Sequence, residues 1–136
     1  MNQPEKPNLD LINRVQQARM QHDAEAVPSQ VTGVYWIEAK RSPQLDAPGP
    51  TAHAGYWQLG TTLDVVDELW AQVKAATESG RLGYKSKVAT ATRDSQSDSR
   101  VIQVLTYDSR DAADVERVGS ALQVIVPSES WTYYTI

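Results

Sequence analysis

The strongest constraint on this chain is a helix with a single apolar side. Val65, Val66, Leu69, Trp70, Val73 and Ala76 recur at three- and four-residue spacing, which gathers them into one stripe. Thr61 and Asp64 match a variant capping box ahead of the stripe, and Gly80 stands where a left-handed C-cap is wanted. A helix that is apolar on one side has to lay that side on a second layer. The flanking segments supply the layer. "GYWQLG" (55–60) reads as a short strand before it, and "YKSKVATAT" (84–92) alternates after it. Lys85, Lys87, Ala89 and Ala91 share one face of that strand; Tyr84, Ser86, Val88, Thr90 and Thr92 share the other.

The remaining segments repeat the pairing. Residues 8–27 favour a weakly amphipathic helix, with Leu9, Ile12, Val15, Ala18 and His22 on one side and Pro28 marking its end. "VYWIEAK" (34–40) reads as a strand, and "VIQVLTY" (101–107) is the best strand in the chain. Asp108 or Ser109 is expected to cap a helix that buries Val115, Val118 and Leu122. "LQVIV" (122–126) and "WTYYTI" (131–136) read as further strands. Residues 41–54 hold three prolines and read as a long loop; residues 93–100 read as a polar turn. Strands in pairs between helices predict an α+β fold, a mainly antiparallel sheet with its helices on one face. Residues 1–7 are expected to be a disordered tail, 8–27 a helix and 28–136 one domain.

Composition narrows the chemistry. A formal net charge of −4 argues against an extended nucleic-acid surface or an anionic membrane partner, and leaves room for a local basic pocket. With no cysteine, disulfides and thiolate metal sites are excluded. His22 and His53 lie far apart without a second ligand at helical spacing, so no metal or other cofactor is expected. No segment approaches the ~18 consecutive apolar residues of a membrane span, and the N-terminus does not resemble a secretory signal. The expected compartment is the cytoplasm.

The residues that point to a ligand are basic. Lys85 and Lys87 share a strand face with small alanines, an arrangement that suits an anion or a solvated strand. Lys40, Arg41 and Arg93 fall at strand ends, where convergence would make an anion site, Arg as a fork and Lys as a point charge. Arg100 reads as ordinary surface charge. Trp70 is expected in the core and Trp131 over its edge. Trp36 and Trp57 sit in strands and would either fill the core or line a pocket where a flat ring stacks. Tyr84 and Tyr107 are placed to add hydrogen bonds. The acidic residues at 64, 67 and 68 are explained by a helix dipole.

"YWIEAKR", "GYWQLG", "VDELWAQVKAATESGRLGYKSKVAT" and "RVIQVLTYDSRDAADVERV" together resemble the Bles (basophilic-leukaemia-expressed protein) family, over about Val34 to Leu122. The resemblance implies a fold similar to that of the cap-binding translation initiation factor 4E, a curved antiparallel sheet with helices on its convex side. Bacterial members are described as phosphothreonine lyases. Elimination of phosphate would need a base and an acid, with Lys87 as base and His53 as acid. Two positions depart from the family. Gly55-Tyr56-Trp57 stands where members have Gly-Lys-Trp, and Tyr133-Tyr134-Thr135-Ile136 where they have Tyr-Lys-Thr-Asp. Three expectations follow: a module binding a nucleotide, an RNA end or a phosphopeptide on the concave sheet face; a phosphate-eliminating enzyme; or a module meeting a protein partner through the N-terminal helix or an exposed strand.

Overall fold

The structure is a computed structural model and describes residues 9–31, 35–90 and 98–136. The expected tail at 1–7 and most of the turn at 93–100, Arg93 included, lie outside the described residues. Among those described are three α-helices, α1 (Leu9–Glu25), α2 (Val66–Glu78) and α3 (Ala112–Ile125), and a short 3-10 turn at Pro28–Gln30. Five strands, β1 (Trp36–Lys40), β2 (Gly55–Thr62), β3 (Lys85–Ala89), β4 (Ser99–Thr106) and β5 (Thr132–Thr135), form one sheet in the order β1-β3-β4-β2-β5. Every neighbouring pair is antiparallel. The fold is α+β.

The connections explain why α2 and α3 share a face. β2 and β3 both run antiparallel to β4, so they are parallel to each other and α2 is a crossover between them. β4 and β5 flank β2 in the same way, joined by α3. Each unit is a βαβ crossover split by one antiparallel strand. Right-handed crossovers that run in opposite directions across one sheet put both helices on the same side. There Val66, Leu69, Trp70, Val73 and Ala76 of α2 and Val118 and Leu122 of α3 close over Ile37, Ala39, Val88, Leu59, Ile102 and Val104. Trp131 is buried at the rim of this core.

Local signals held where packing agreed with them. Gly80 takes φ +84°, and the end of α2 is a Schellman cap: Gly80 N donates to Thr77 O at 3.1 Å and Arg81 N to Ala76 O at 2.9 Å. Gly83 follows because a β-carbon there would lie 1.7 Å from the Leu105 carbonyl oxygen. Three expectations are corrected. Residues 122–125 continue α3, because Val118, Leu122 and Ile125 keep the helical spacing that buries one side. The capping box at Thr61 is not formed; Thr61 stays in β2, the Thr62 hydroxyl donates to Asp64, and α2 starts after Val65 with no side-chain cap. The N-cap of α3 is Asp111, which accepts from Asp114 N at 3.1 Å, while Asp108 accepts from Arg110 N at 2.8 Å.

Among the described residues no helix is long and apolar enough to cross a membrane. Among the described residues no group of three or more His, Cys, Asp or Glu is arranged to hold a metal ion.

Candidate functional site

The sheet has one face under α2 and α3 and one open face. Directly paired residues share a face, so the register places Trp36, Glu38 and Lys40 of β1 with Lys85, Lys87 and Ala89 of β3 on the open side. Two rows cross the strands. One runs Lys40, Lys85, Leu105, Tyr56, Tyr134, and the next runs Glu38, Lys87, Gln103, Gln58, Thr132. Gln103 Nε2 donates to Gln58 Oε1 at 2.9 Å, closing the middle of the second row.

The cations gather on β1 and β3. Lys40 stands directly opposite Lys85. Lys85 Nζ lies 3.5 Å from Glu38 Oε1, and Lys87 Nζ sits 4.5 Å from the centroid of the Trp36 ring. Three lysines therefore share this part of the face with one glutamate. At the start of β3, burial and the nearby Glu38 carboxylate push the Tyr84 phenol above its ordinary pKa.

Of the residues expected to bind or react, Trp36, Lys40, Lys85 and Lys87 come together here, with Tyr84 at the margin. Arg41, Trp57, Tyr107 and His53 do not join them. Arg41 turns its guanidinium to the carbonyls of Ala47 at 3.2 Å and Pro48 at 2.9 Å, pinning the proline-rich loop. Trp57 belongs to the helix face: its Nε1 donates to Val115 O at 3.1 Å and its ring lies 5.1 Å from that of Tyr133. The alternation of β2 decides this, since Leu59 points to the core and Trp57 is two residues away. The Tyr107 hydroxyl is committed to Asp111, which pushes the phenol up to about 12 and holds the Asp111 carboxyl below its ordinary value. His53 is exposed and tied by its backbone to Ser109, beyond the end of β4, whereas Lys87 sits mid-strand opposite Gln103. Arg93 lies outside the described residues, and Arg100 is buried, 4% exposed, rather than on the surface.

The two positions expected to depart from the resembled family fall on one spot. Tyr56 and Tyr134 are directly paired across β2 and β5, and their rings stack with centroids 5.6 Å apart. The register, which the sequence does not state, brings these two positions side by side.

Sequence reasoning also missed the residues that dock α1. Arg19 Nη2 donates to Trp36 O at 3.1 Å, and the buried Asp23 carboxylate accepts from Glu38 N at 3.3 Å and Arg19 Nε at 3.2 Å. Arg19 and Asp23 have the i, i+4 spacing of a helical pair, a readable signal, but their common target on β1 is not readable. Leu9, Leu11, Ile12, Val15 and Met20 stay exposed. Ser29 Oγ and N donate to the Asp67 carboxylate at 2.5 and 2.9 Å, so Asp67 anchors the 3-10 turn as well as standing in the first turn of α2.

A family model described as basophilic leukemia-expressed protein Bles03 matches residues 46–135, which takes in β2 to β5 and leaves α1 and β1 outside. No curated protein matches the chain.

Proposed function

The chain belongs to the Bles03 family, and from the arrangement of its open sheet face we propose that it binds a phosphorylated ligand there. One observation carries the reading: Lys40 and Lys85 are directly opposite each other. Like charges so paired destabilise a sheet by roughly 0.2–1 kcal/mol each. Glu38 offsets one of them and Trp36 holds Lys87. That leaves the charge of Lys40 to be balanced, and a phosphate accepting from Lys40 and Lys85 would balance it. The overall acidity of the chain confines this attraction to the face itself.

The reading is binding rather than elimination. A lyase needs a base and an acid at one phosphate. Lys87 lies on the open face in mid-strand, and His53 lies in the loop joined to Ser109. The test is a thermal-shift titration at low salt with inorganic phosphate, nucleotides, a cap analogue and a phosphopeptide. Stabilisation by a phosphorylated compound, lost in Lys85→Ala and weakened in Lys87→Ala, is the expected result. Equal shifts in wild type and both variants would sink the assignment.

A further inference from the structure

β1 is an edge strand, and α1 covers only part of its outer side. Arg41 N donates to Tyr84 O and Thr90 N to Tyr35 O at the two ends of the β1–β3 ladder. Odd-numbered residues of β1 therefore bond inward, and the even-numbered ones turn their N–H and C=O groups outward. Arg19 takes the carbonyl of Trp36, and Asp23 takes the N–H of Glu38. There the cover stops. The Glu38 carbonyl and the Lys40 N–H form no hydrogen bond among the described residues. They face outward in the same direction on either side of Ala39, the spacing at which an added strand bonds.

The edge is also hollow. A cavity of about 410 Å³ lies between α1, β1 and the last turns of α2, lined among others by Met20, Ala24, Ala39, Pro43, Lys74 and Glu78. That volume is within the ordinary range for ligand sites. A strand laid along this edge would bring a backbone to the two unused groups and apolar side chains to Met20, Ala24 and Pro43.

We propose that the outer edge of β1 past Asp23 is a strand-addition site, at which an extended phosphopeptide pairs its backbone with Glu38 C=O and Lys40 N–H and presents its phosphoryl group to Lys40 and Lys85. This rests on the reading of the open face as an anion site. Its added content is the occupant and the mode of binding. A residue paired with Lys40 shares Lys40's sheet face, so its side chain extends the row Lys40–Lys85 by one strand, about 5 Å outside β1. Charge complementarity selects that side chain, because two opposed lysines, only one of them paired with Glu38, lie immediately inward of it. A free nucleotide would use the lysines and leave both backbone groups unpaired; a peptide uses all of them.

The experiment measures binding by fluorescence anisotropy. The probe is a labelled peptide of alternating valine and threonine with one central phosphoserine. Inorganic phosphate, a nucleoside triphosphate and the unphosphorylated peptide serve as competitors. Lys40→Ala removes the ammonium group and keeps the N–H; Lys40→Pro removes both. Proline at an outward-facing edge position breaks no ladder bond, and a thermal melt checks that both variants fold. Lys40→Pro is expected to bind the peptide about tenfold more weakly than Lys40→Ala. A peptide N-methylated at alternate residues on one edge is expected to lose a similar factor against wild type, which needs no variant at all. If phosphate or nucleotide binds and the peptide gains nothing over them, strand addition fails and the anion site stands. If no phosphorylated probe binds, both fail. A concentration-dependent dimer abolished by Lys40→Pro would also overturn the proposal, by giving the edge to a second copy of the chain.

Discussion

The indole of Trp57 rests against α3 at Gly119, where a β-carbon would come within 2.6 Å of its Cζ2 atom. The same indole donates from Nε1 to Val115 O at 3.1 Å, so ring and helix are fixed to each other at two points. Glycine inside a helix ordinarily costs about 1 kcal/mol relative to alanine. Here the missing side chain is what admits the ring.

Gly119→Ala should therefore reverse the usual sign. We expect a loss of about 1–3 kcal/mol, the range for overpacking a filled core. Ser120→Ala, at an exposed position on the same helix, should be neutral or slightly stabilising. Urea denaturation of the two variants separates the effects. A stabilised Gly119→Ala would mean that Trp57 does not pack on this turn.

Lys40→Gln should stabilise the ligand-free protein and weaken its hold on anions. Removing one of two opposed cations is expected to gain a few tenths of a kcal/mol at low salt. The gain should fade by 1 M salt, where the screening length is about 3 Å. Chemical denaturation at two salt concentrations tests this. A variant less stable than wild type at low salt would show that the pair does not repel.

Asp23→Ala should release α1 from the edge of β1. The buried carboxylate holds the Glu38 N–H and the Arg19 side chain, and its loss leaves that N–H unpaired. A cost of about 1–3 kcal/mol is expected. Hydrogen exchange at Glu38 should speed up, while exchange in β4 tracks only the global change. Unaltered exchange at Glu38 would contradict the docking.

The Tyr107–Asp111 bond should give stability within a bounded pH window. The phenol is raised from 10.0 to about 12, so its contribution is complete below pH 10 and declines as pH climbs towards 12. The carboxyl is lowered from 3.8, chiefly by the same bond, so its contribution is complete above that value and declines at lower pH. The difference in unfolding free energy between wild type and Tyr107→Phe should form a plateau from about pH 5 to 9 and shrink on both sides. A flat difference across the alkaline arm would show that the hydroxyl is not bonded to the carboxylate.

What the sequence made legible was mostly local. The stripe from Val66 to Ala76, the cap at Gly80 and the alternation that sets Lys85 and Lys87 on one face all depend on residues within a few positions of one another. Strand order does not. Nothing in "VYWIEAK" states that it pairs with β3 and not with β2, so Lys40 could not be placed opposite Lys85 from sequence. The misreading at 122–126 has the same origin. A short run of valine, isoleucine and leucine suits a strand or a buried helical turn, and the decision is made by the core above β4. Trp36 and Trp57 look equivalent in sequence; their opposite faces follow from register.

The strand order also sets a timetable. Among the described residues β1 pairs with β3 alone, and β2 pairs with β4 and β5, so β1 and β2, consecutive in the chain, do not pair with each other. Each must wait for a partner at least 37 residues downstream, as the register Gly60 to Val101 and Thr62 to Ser99 shows. Closing such long loops before any contact rewards them slows folding. Among the described strands the one sequence-adjacent pair is β3–β4, which makes it the natural place for the sheet to begin. On a ribosome, β1 and β2 would be exposed as unpaired strands until that pair emerged, the interval in which such a chain most depends on being shielded from its neighbours.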